Sequence, residues 1–466
     1  MEGILKSYNP ADGTLIGEVQ ATPISEISAI VERAKRAQIK WAAFDVDERI
    51  RVLMQAYQVL GAKKREIGTL LSMEQGKDLR RGIGEVSGCA GSVGYVTSGV
   101  KAAIEPVVRR GYGKTIVNYE PLGVCGIISP WNYPVSMADW MIVPALTAGN
   151  AVVLKPSEET PLVAKAYVDA LNEVLPENLL QIVFGDEEQG KVLVRSDVDF
   201  IGFTGSLEAG KDIMREASES LKPLIMELGG KDPMIVLEDA DLDDAAAFAI
   251  SNSLENAGQM CISTERIFVH ESVADEFIKR ATAYLPYFKV GAYDDPQAQV
   301  GPVINERQRA RILHHIEDAR EKGAQVILAQ DGVVKDITDT HAYPEIADQH
   351  PDRYVLPTLI LGVTDEMLLA KEETFGPLVC ITVYDDIDKA IESANSTDYG
   401  LGAVVYGDSH AEEVASRLEA GMIGINAGAS GGGELPWVGA KMSSFGYHGS
   451  PDGHRQFTRP RVMNVR

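Results

Sequence analysis

Cys261 is the first residue of this sequence that could act as a nucleophile. It closes the segment Asn256-Ala257-Gly258-Gln259-Met260-Cys261, in which a glycine and two polar residues predict an unusual backbone turn. A reactive cysteine needs some access to solvent and local stabilisation of its thiolate. A cysteine in an apolar run is also commonly a packing residue. On the residues alone, both interpretations of Cys261 stay open.

Two polar side chains near predicted strand ends could complete a site of this kind. Glu227 lies between apolar neighbours just before the turn Gly229-Gly230, where a carboxylate suits a general base or simply binds backbone amides of the turn. Asn132 lies in the stiff segment Pro130-Trp131-Asn132-Tyr133-Pro134. Its amide could donate to a developing oxyanion, or it could make an Asx turn.

Two further segments are typical of the ends of strands in a nucleotide site. Gly202-Phe203-Thr204-Gly205-Ser206 joins a strand, a glycine turn and a helix start, which could present free amides to a phosphate. It is not the G-x-G-x-x-G pattern, so by itself it indicates a nucleotide only weakly. Lys155-Pro156-Ser157-Glu158 could offer a cation and a carboxylate to ribose hydroxyls, or it could begin a helix with Ser157 near the cap.

The elements that must hold these residues alternate between strand and helix after an initial helical stretch at 24–80. This alternation predicts two α/β regions with parallel sheets covered on both faces, joined near 227–230. Ligands bind beyond the carboxyl ends of such strands, where these segments lie. Residues 330–352 predict a surface excursion. Strands are predicted at 114–119, 123–129, 151–154, 180–184, 199–203, 233–237, 267–269, 355–361 and 378–383, and helices at 137–146 and 161–175.

Length and composition restrict the class of protein. The 466 residues, 45% hydrophobic and 24% charged, have an ordinary globular balance and room for two or three domains. A formal charge of −24 argues against a nucleic-acid partner. The four cysteines and eight histidines show no spacing typical of a metal site or a disulfide framework. With neither a signal-peptide pattern nor a membrane-length apolar run, a cytoplasmic location is predicted.

The order of these motifs along the chain resembles that of the aldehyde dehydrogenase superfamily, and the resemblance covers nearly the whole chain. It implies an NAD(P)-dependent, non-acylating enzyme that oxidises an aldehyde to the carboxylic acid. Six motifs follow the family's order and approximate spacing: Pro130-Trp131-Asn132-Tyr133-Pro134, Lys155-Pro156-Ser157-Glu158, Gly202-Phe203-Thr204-Gly205-Ser206, Glu227-Leu228-Gly229-Gly230, Gly258-Gln259-Met260-Cys261 and Glu372-Glu373-Thr374-Phe375-Gly376-Pro377.

The resemblance implies a role for each candidate catalytic residue. Cys261 attacks the aldehyde carbon, while its own backbone amide and the side-chain amide of Asn132 hold the oxyanion of the thiohemiacetal. Loss of a hydride leaves a thioester, and water activated by Glu227 hydrolyses it. Covalent capture of this kind divides one difficult reaction into two easier steps.

The resemblance also implies the cofactor contacts. Among them Glu158 would accept a hydrogen bond from a ribose 2′-hydroxyl and repel a 2′-phosphate, which favours NAD. Lys155 and Ser157 leave NADP as the alternative. The predicted cofactor-binding residues are Ser129, Trp131, Lys155, Ser157, Glu158, Gly205, Ser206, Leu228, Glu373 and Phe375.

The predicted substrate pocket is largely aromatic. Family members selective for succinate semialdehyde carry an arginine where Trp140 stands, so a dicarboxylate semialdehyde loses its bidentate partner. A medium-chain aliphatic or aromatic aldehyde is predicted, with a semialdehyde or a cationic aminoaldehyde as the alternative. Near the C-terminus Ser444 replaces a customary glycine, and the run 431–434 is unfamiliar, which bears on substrate identity. The predicted pocket residues are Tyr133, Met137, Trp140, Glu255, Met260 and Trp437.

The implied architecture is α/β with three parts. These are a discontinuous Rossmann-like NAD(P)-binding domain (1–102 and 122–229), an α/β catalytic domain (230–448) and a small antiparallel β oligomerisation element (103–121 and 449–466). Strand addition through the tail would give a homodimer or homotetramer.

The competing functions are a cofactor-free thiol esterase and a non-catalytic scaffold. A scaffold need keep neither Cys261 nor Glu227, and Glu227 argues against a CoA-acylating enzyme.

Overall fold

The computed structural model of the chain describes residues 3–110, 113–330, 332–339, 343, 353–431 and 435–465. Strands in these ranges form sheets of six, eight, three and two strands, and the two large sheets are mostly parallel. The predicted α/β class is therefore confirmed. Within the described ranges, no helix combines the length and apolar character that a membrane crossing needs.

Residues 3–103 form a small antiparallel sheet and four helices, in agreement with the helical pattern at 24–80. The apolar positions Ile27, Ile30 and Val31 are buried as that pattern predicts. Asp45 and Asp78 begin two of the helices by accepting backbone N–H groups. The elements are β1 (Ile4–Tyr8), β2 (Leu15–Gln20), α1 (Ile24–Ala42), α2 (Val46–Ala62), α3 (Lys64–Gln75) and α4 (Leu79–Ala103).

The next elements supply the first mostly parallel sheet, except β3 and β4, which belong to the separate antiparallel sheet. They are β3 (Val107–Arg110), β4 (Lys114–Pro121), β5 (Val124–Ile128), α5 (Ser136–Thr147), β6 (Ala151–Lys155), α6 (Pro161–Asn172), β7 (Leu180–Ile182), α7 (Glu187–Arg195), β8 (Phe200–Thr204), α8 (Leu207–Ser218) and β9 (Leu224–Glu227). Strands β9, β8, β5, β6 and β7 lie side by side and parallel, in that order. β5, β6 and β8 are buried at every position, which explains their continuous apolar sequences.

The eight-stranded sheet follows. Its elements are β10 (Asp232–Val236), α9 (Leu242–Leu254), β11 (Thr264–His270), α10 (Glu271–Tyr284), α11 (Glu306–Glu321), β12 (Gln325–Gln330), β13 (Val333–Asp336), β14 (Thr358–Leu361), α12 (Leu368–Lys371), β15 (Leu378–Tyr384), α13 (Ile387–Asn395), β16 (Gly402–Tyr406), α14 (Ala411–Ser416) and β17 (Met422–Ile425). The strand order is β13-β12-β14-β15-β11-β10-β16-β17, and β12 runs antiparallel to both of its neighbours, β13 and β14. Residues 330–352 were predicted to form a surface excursion, and β13, which lies in this range, is an exposed edge strand. Residues 331, 340–342 and 344–352 of the same range lie outside the described residues.

The C-terminal elements return to the first half of the chain. They are β18 (Ser444–Phe445), α15 (Ser450–Arg455) and β19 (Thr458–Val465). β18 pairs with β9, so part of the range predicted as catalytic joins the six-stranded sheet. β19 pairs along its whole length with β4 and forms the edge of the antiparallel sheet β19-β4-β3, as its alternating sequence predicts. Residues 111, 112 and 466 of that element lie outside the described part, and the domain boundaries stay a prediction.

Candidate active site

The candidate residues meet at a topological switch point of the six-stranded sheet. β6 lies on one side of β5 and β8 on the other, and ligands bind where the winding reverses, beyond the carboxyl ends of the strands. A cleft of about 480 Å³ opens there. The predicted site residues that line it are Trp131, Asn132, Met137, Gly205, Ser206, Leu228, Cys261, Glu373 and Phe375. Those outside its lining are Ser129, Tyr133, Trp140, Lys155, Ser157, Glu158, Glu227, Glu255, Met260 and Trp437.

The turn before Cys261 has a backbone that few residue types adopt. Asn256, Ala257 and Gly258 have φ angles of 51°, 58° and 71°. Left-handed residues cost free energy, and such strain is found mostly where function needs it. A Cβ at Gly258 would lie 1.9 Å from the carbonyl oxygen of Gly376. The glycine therefore allows the turn to pack against the loop that carries Gly376.

Cys261 differs from the other three cysteines. Cys89, Cys125 and Cys380 are buried, whereas Cys261 is half-buried and lines the cleft. The packing interpretation therefore suits those three, and access favours reactivity for Cys261. Burial, followed by the charges of nearby carboxylates with Glu227 first, raises the pKa of the Cys261 thiol well above its usual range. The thiol needs a base to take its proton before it can attack.

Asn132 follows β5 and faces the turn that carries Cys261. Its Nδ2 donates to the carbonyl oxygen of Gln259 at 3.1 Å, which leaves the second N–H of the amide for another acceptor. The ammonium of Lys77 donates to the Asn132 carbonyl oxygen and to Glu85, both at 2.8 Å. The backbone of Asn132 is thus held by Lys77, and its side-chain amide is held by Gln259 on the turn that carries Cys261.

Glu227 ends β9 and is followed by Leu228, which lines the cleft. Its Oε1 is in contact with Nε2 of His448, and both side chains are buried. Sequence reasoning missed His448 because a lone histidine carries no spacing signal. It reaches Glu227 only through the pairing of β18 with β9.

The start of α8 opens on the cleft. Ser206 begins the helix by accepting the N–H of Ala209 at 3.4 Å, and the first amides of a helix attract anions. The buried hydroxyls of Ser129 and Thr204 have no hydrogen-bond partner among the described residues. Thr204 also lines the cleft, so a ligand there could satisfy a buried polar group.

The segment at the end of β6 lies beside the cleft. The N–H of Ser129 donates to the Lys155 carbonyl oxygen at 3.1 Å. Nζ of Lys155 is 3.4 Å from Oε2 of Glu158, whose carboxylate is 46% exposed. Burial lowers the pKa of Lys155, and the charge of Glu158 opposes that shift. The Ser157 hydroxyl accepts the N–H of Glu159 at 3.2 Å, whereas α6 begins only at Pro161 with Thr160 in the cap position.

Glu373 and Phe375 reach the cleft from the other side. Oε1 of Glu373 accepts the N–H of Gly230 at 2.9 Å, and a Cβ at Gly229 would lie 2.6 Å from the same carboxylate. Burial, followed by the charge of Glu265, raises the pKa of Glu373 to about 7. Glu265 also accepts the N–H of Phe375 at 2.9 Å, so it holds the loop that presents both side chains.

Aromatic side chains gather beyond Cys261. The rings of Trp140 and Trp437 have centroids 5.0 Å apart, and both belong to an apolar cluster that includes Cys261. The Tyr133 hydroxyl lies 3.8 Å from the sulfur of Met260. The predicted pocket residues therefore approach one another on this side of the nucleophile.

The charges around these rings are already paired. Glu255 forms a bidentate pair with Arg81 at 2.7 and 2.5 Å. The ammonium of Lys77 lies 3.7 Å from the centroid of the Tyr133 ring. In the part of the chain that the structure describes, no cluster of three or more His, Cys, Asp or Glu side chains could hold a metal ion.

Three residues of α11 that sequence reasoning missed also line the cleft: Arg307, Gln308 and Arg311. Gln308 donates to the carbonyl oxygen of Phe375 at 2.9 Å, and Arg311 donates to that of Glu373 at 2.6 Å. A charged helix face is ordinarily a solvated surface, so its sequence gave no signal that these residues approach the cleft.

Comparisons with known proteins agree with this geometry. The aldehyde dehydrogenase family matches residues 2–463. A betaine aldehyde dehydrogenase of Rhizobium etli (strain CIAT 652) is 36% identical over 457 residues, covering 96% of this chain and 91% of the relative.

Among solved structures, succinate-semialdehyde dehydrogenase from Burkholderia pseudomallei superposes with a TM-score of 0.93 at 32% identity, covering 99% of this chain and 94% of that one. NADP-dependent glyceraldehyde-3-phosphate dehydrogenase from Bacillus halodurans C-125, complexed with NADP, has a TM-score of 0.91 at 33% identity, covering 99% and 96%. The resemblance in motif order is confirmed: the chain belongs to the aldehyde dehydrogenase family and is an NAD(P)-dependent oxidoreductase.

Proposed function

We propose that this enzyme oxidises an uncharged medium-chain aliphatic or aromatic aldehyde to the carboxylic acid. Cys261 is the nucleophile, Asn132 the oxyanion donor and Glu227 the base. The observation that supports this assignment is the single cleft lined by both Cys261 and Asn132, onto which α8 opens.

The first step is attack of the Cys261 sulfur on the aldehyde carbon. Because burial and neighbouring carboxylates hold the pKa of Cys261 high, the thiol proton must pass to a base, and Glu227 is the carboxylate with the largest influence on it. The oxyanion accepts the backbone N–H of Cys261 and the second N–H of Asn132. The contacts of Lys77 and Gln259 hold Asn132 in place before the reaction begins.

The residues at the start of α8 fit a nicotinamide dinucleotide. The first amides of α8 suit its pyrophosphate, the unpartnered Thr204 hydroxyl can donate to it, and Glu373 can accept ribose hydroxyls. A nicotinamide bound there would supply the acceptor for the hydride that leaves the thiohemiacetal carbon. Phe375 meets Trp131 edge-on, with ring centroids 5.6 Å apart, and both rings line the cleft.

Hydrolysis of the thioester completes the reaction. After the proton taken from Cys261 has passed to solvent, Glu227 takes a proton from water as the water oxygen bonds to the thioester carbon. Asn132 again donates to the oxyanion. The carbon–sulfur bond then breaks, which releases the acid and leaves the electron pair on the sulfur of Cys261.

NAD is the proposed cofactor. The carboxylate of Glu158 is half-exposed, so it can accept a 2′-hydroxyl and would repel a 2′-phosphate. NADP stays the alternative, because Lys155 lies beside Glu158 and because a structural neighbour at 33% identity is an NADP-dependent enzyme.

The paired tryptophans Trp140 and Trp437 support an uncharged hydrophobic substrate. A cationic aldehyde is the second candidate, since aromatic faces attract cations and a relative at 36% identity is named a betaine aldehyde dehydrogenase. A dicarboxylate semialdehyde is disfavoured, because Arg81 is engaged by Glu255.

A panel of aldehydes tests the substrate class. We expect kcat/KM with NAD to be higher for hexanal or benzaldehyde than for betaine aldehyde or succinate semialdehyde, by about tenfold. A tenfold preference for betaine aldehyde would instead support the cationic candidate, and one for succinate semialdehyde would contradict both. Ester hydrolysis without any aldehyde-dependent NADH absorbance would favour a cofactor-free thiol esterase.

We further propose a cytoplasmic homodimer or homotetramer that assembles through the sheet β19-β4-β3. Val462 and Val465 on its edge strand and Val108 on β3 are exposed apolar side chains, which an added strand would cover. Removal of residues 456–466 is expected to dissociate the assembly. An unchanged mass in solution after this truncation would contradict the proposal.

A further inference from the structure

A buried ion pair lies behind the segment that carries Asn132. Nζ of Lys77 is 2.8 Å from Oε2 of Glu85, and the two side chains are only 1% and 3% exposed. Taking two charges out of water offsets most of their attraction, so a pair buried this deeply adds little net stability. The other contacts of the pair therefore indicate its role better than its charge does.

The two members of the pair bond the backbone at both ends of this segment. Lys77 donates to the Asn132 carbonyl oxygen at 2.8 Å. Oε1 of Glu85 accepts the N–H groups of Val135 and Ser136 at 3.0 and 3.1 Å. The start of α5 has no cap from the side chain that precedes it, and a carboxylate is favourable at this end of a helix. The ion pair thus fixes the segment that leads from Asn132 into α5.

The backbone and the side chain of Asn132 are held against the same turn. Nδ2 of Asn256 donates at 3.2 Å to the carbonyl oxygens of both Asn132 and Gln259. The Gln259 oxygen also accepts Nδ2 of Asn132, at 3.1 Å. Because Lys77 fixes the backbone and Gln259 takes one N–H of the amide, the direction of the second N–H is set before any substrate binds.

We propose that Lys77 and Glu85 are positioning residues that act through Asn132 in both steps of the reaction. The proposal rests on the proposed function, which makes Asn132 the oxyanion donor. Such a donor raises the rate only when its N–H already points at the position where negative charge develops. Loss of the ion pair should therefore lower rate constants and leave the binding of NAD unchanged.

A second buried ion pair provides a matched control. Lys231 is paired with Glu265, and their side chains are 0% and 6% exposed. Glu265 accepts the N–H groups of Thr374 and Phe375 at 2.8 and 2.9 Å. It therefore holds the loop of the proposed cofactor contacts rather than the proposed oxyanion donor. The two pairs agree in chemistry and burial and differ in what they position.

The test compares two double variants of the full-length enzyme. The neutral variant is Lys77→Met/Glu85→Gln, which leaves no buried charge without a partner and keeps a side-chain oxygen for the first amides of α5. The control variant is Lys231→Met/Glu265→Gln. Each is also combined with Asn132→Ala. The rate of the NADH burst, kcat, the KM for NAD and the thermal unfolding midpoint are measured with the best aldehyde of the panel.

We expect the neutral variant to lose about tenfold or more in the burst rate and in kcat, and to keep the KM for NAD within about twofold. The control variant should instead raise the KM for NAD by about tenfold. In the Asn132→Ala background the neutral substitutions should cost less than about twofold, because the amide through which they act is gone. The control substitutions should keep their full effect there.

Lys77→Arg takes the place of the neutral variant if that variant does not fold. It keeps a cation opposite Glu85, so neither charge is left unpaired. Its planar guanidinium cannot place a nitrogen at the same point on the Asn132 carbonyl oxygen. We expect a loss of about threefold or more in kcat, which should again be absent with Asn132→Ala.

Two results would overturn the proposal. One is a burst rate and a kcat within about twofold of the wild type in the folded variant. The other is a loss that persists at full size in the Asn132→Ala background, since the pair would then act independently of the amide. Failure of the proposed function is distinguishable, because Asn132→Ala alone would then keep the wild-type rate.

Discussion

The turn that carries Cys261 lines the cleft, the end of β6 lies beside it, and the two regions are held in different ways. The carbonyl oxygen of Gln259 in the turn accepts side-chain amides from both Asn132 and Asn256. At the end of β6, Lys155 contacts Glu158, three residues away, and the carboxylate is half-exposed. The proposed nucleophile therefore lies on a turn whose backbone is fixed by hydrogen bonds from distant residues. The residues proposed to select the cofactor are long side chains, one of them half-exposed, which can change conformation. Substitution effects should decrease from the first region to the second.

Gly258→Ala is expected to have the largest effect. At a φ of 71° an alanine costs about 1–2 kcal/mol, and its methyl group would also meet the Gly376 carbonyl oxygen at 1.9 Å. We expect the free energy of unfolding, measured by urea denaturation, to fall by about 3 kcal/mol or more, with loss of aldehyde oxidation.

Gly362→Ala is the matched control for Gly258→Ala. Gly362 has a φ of 74°, and a Cβ there would meet no atom within 4 Å. It should therefore lose only the cost of the left-handed backbone, about 1–2 kcal/mol, and keep its activity. If the free energy of unfolding fell equally in the two variants, the close approach of the Gly376 carbonyl oxygen to position 258 would have no measurable cost.

Asn132→Ala removes the proposed oxyanion donor while Cys261 stays in place. We expect kcat/KM to fall by about 10²–10³-fold, because the donor acts on charge that develops in the transition state. Steady-state kinetics and the thermal unfolding midpoint are the measurements. A fall of less than about tenfold in a folded variant would remove Asn132 from the mechanism.

Glu373 predicts a pH dependence of cofactor binding. Because burial and Glu265 raise its pKa to about 7, the carboxyl group is largely protonated below that pH and becomes a better acceptor for ribose hydroxyls above it. The KM for NAD should therefore fall as the pH rises through about 7. Glu373→Gln should flatten this dependence, whereas Glu372→Gln, at a neighbour that is 54% exposed, should keep it. The same slope in both variants would contradict this role.

Glu158→Gln should have the smallest effect on catalysis. It removes the charge that would repel a 2′-phosphate, so kcat/KM for NADP should rise relative to that for NAD, by about tenfold at most. Aldehyde oxidation with each cofactor is the measurement, and an unchanged ratio would exclude Glu158 from cofactor choice.

The sequence predicted the parallel strands well, because buried strands such as β5, β6 and β8 are continuous apolar runs between turns. Boundaries were less accurate next to proline. The helix predicted at 161–175 ends at Asn172, since Leu175 precedes Pro176 and such residues avoid helical angles. The strand predicted at 355–361 starts only at Thr358, because Pro357 cannot donate to a ladder.

For the candidate site, the motifs identified segments that reach the cleft, but the sequence could not predict contacts between segments that are distant along the chain. Cys261 and Asn132 could be chosen by residue type and by motif order. The approach of His448 to Glu227 depends on the pairing of β18 with β9, and the approach of Gln308 depends on the packing of α11. No local pattern encodes such pairings.

The most direct test of the account is to identify the residue that carries the acyl group during turnover. The wild-type enzyme is mixed with NAD and its best aldehyde, quenched in acid, digested and analysed by mass spectrometry. The account predicts an acyl group on the peptide containing Cys261 and none on those containing Cys89, Cys125 or Cys380. NADH formation with Cys261 unmodified, or retained in Cys261→Ala, would contradict it.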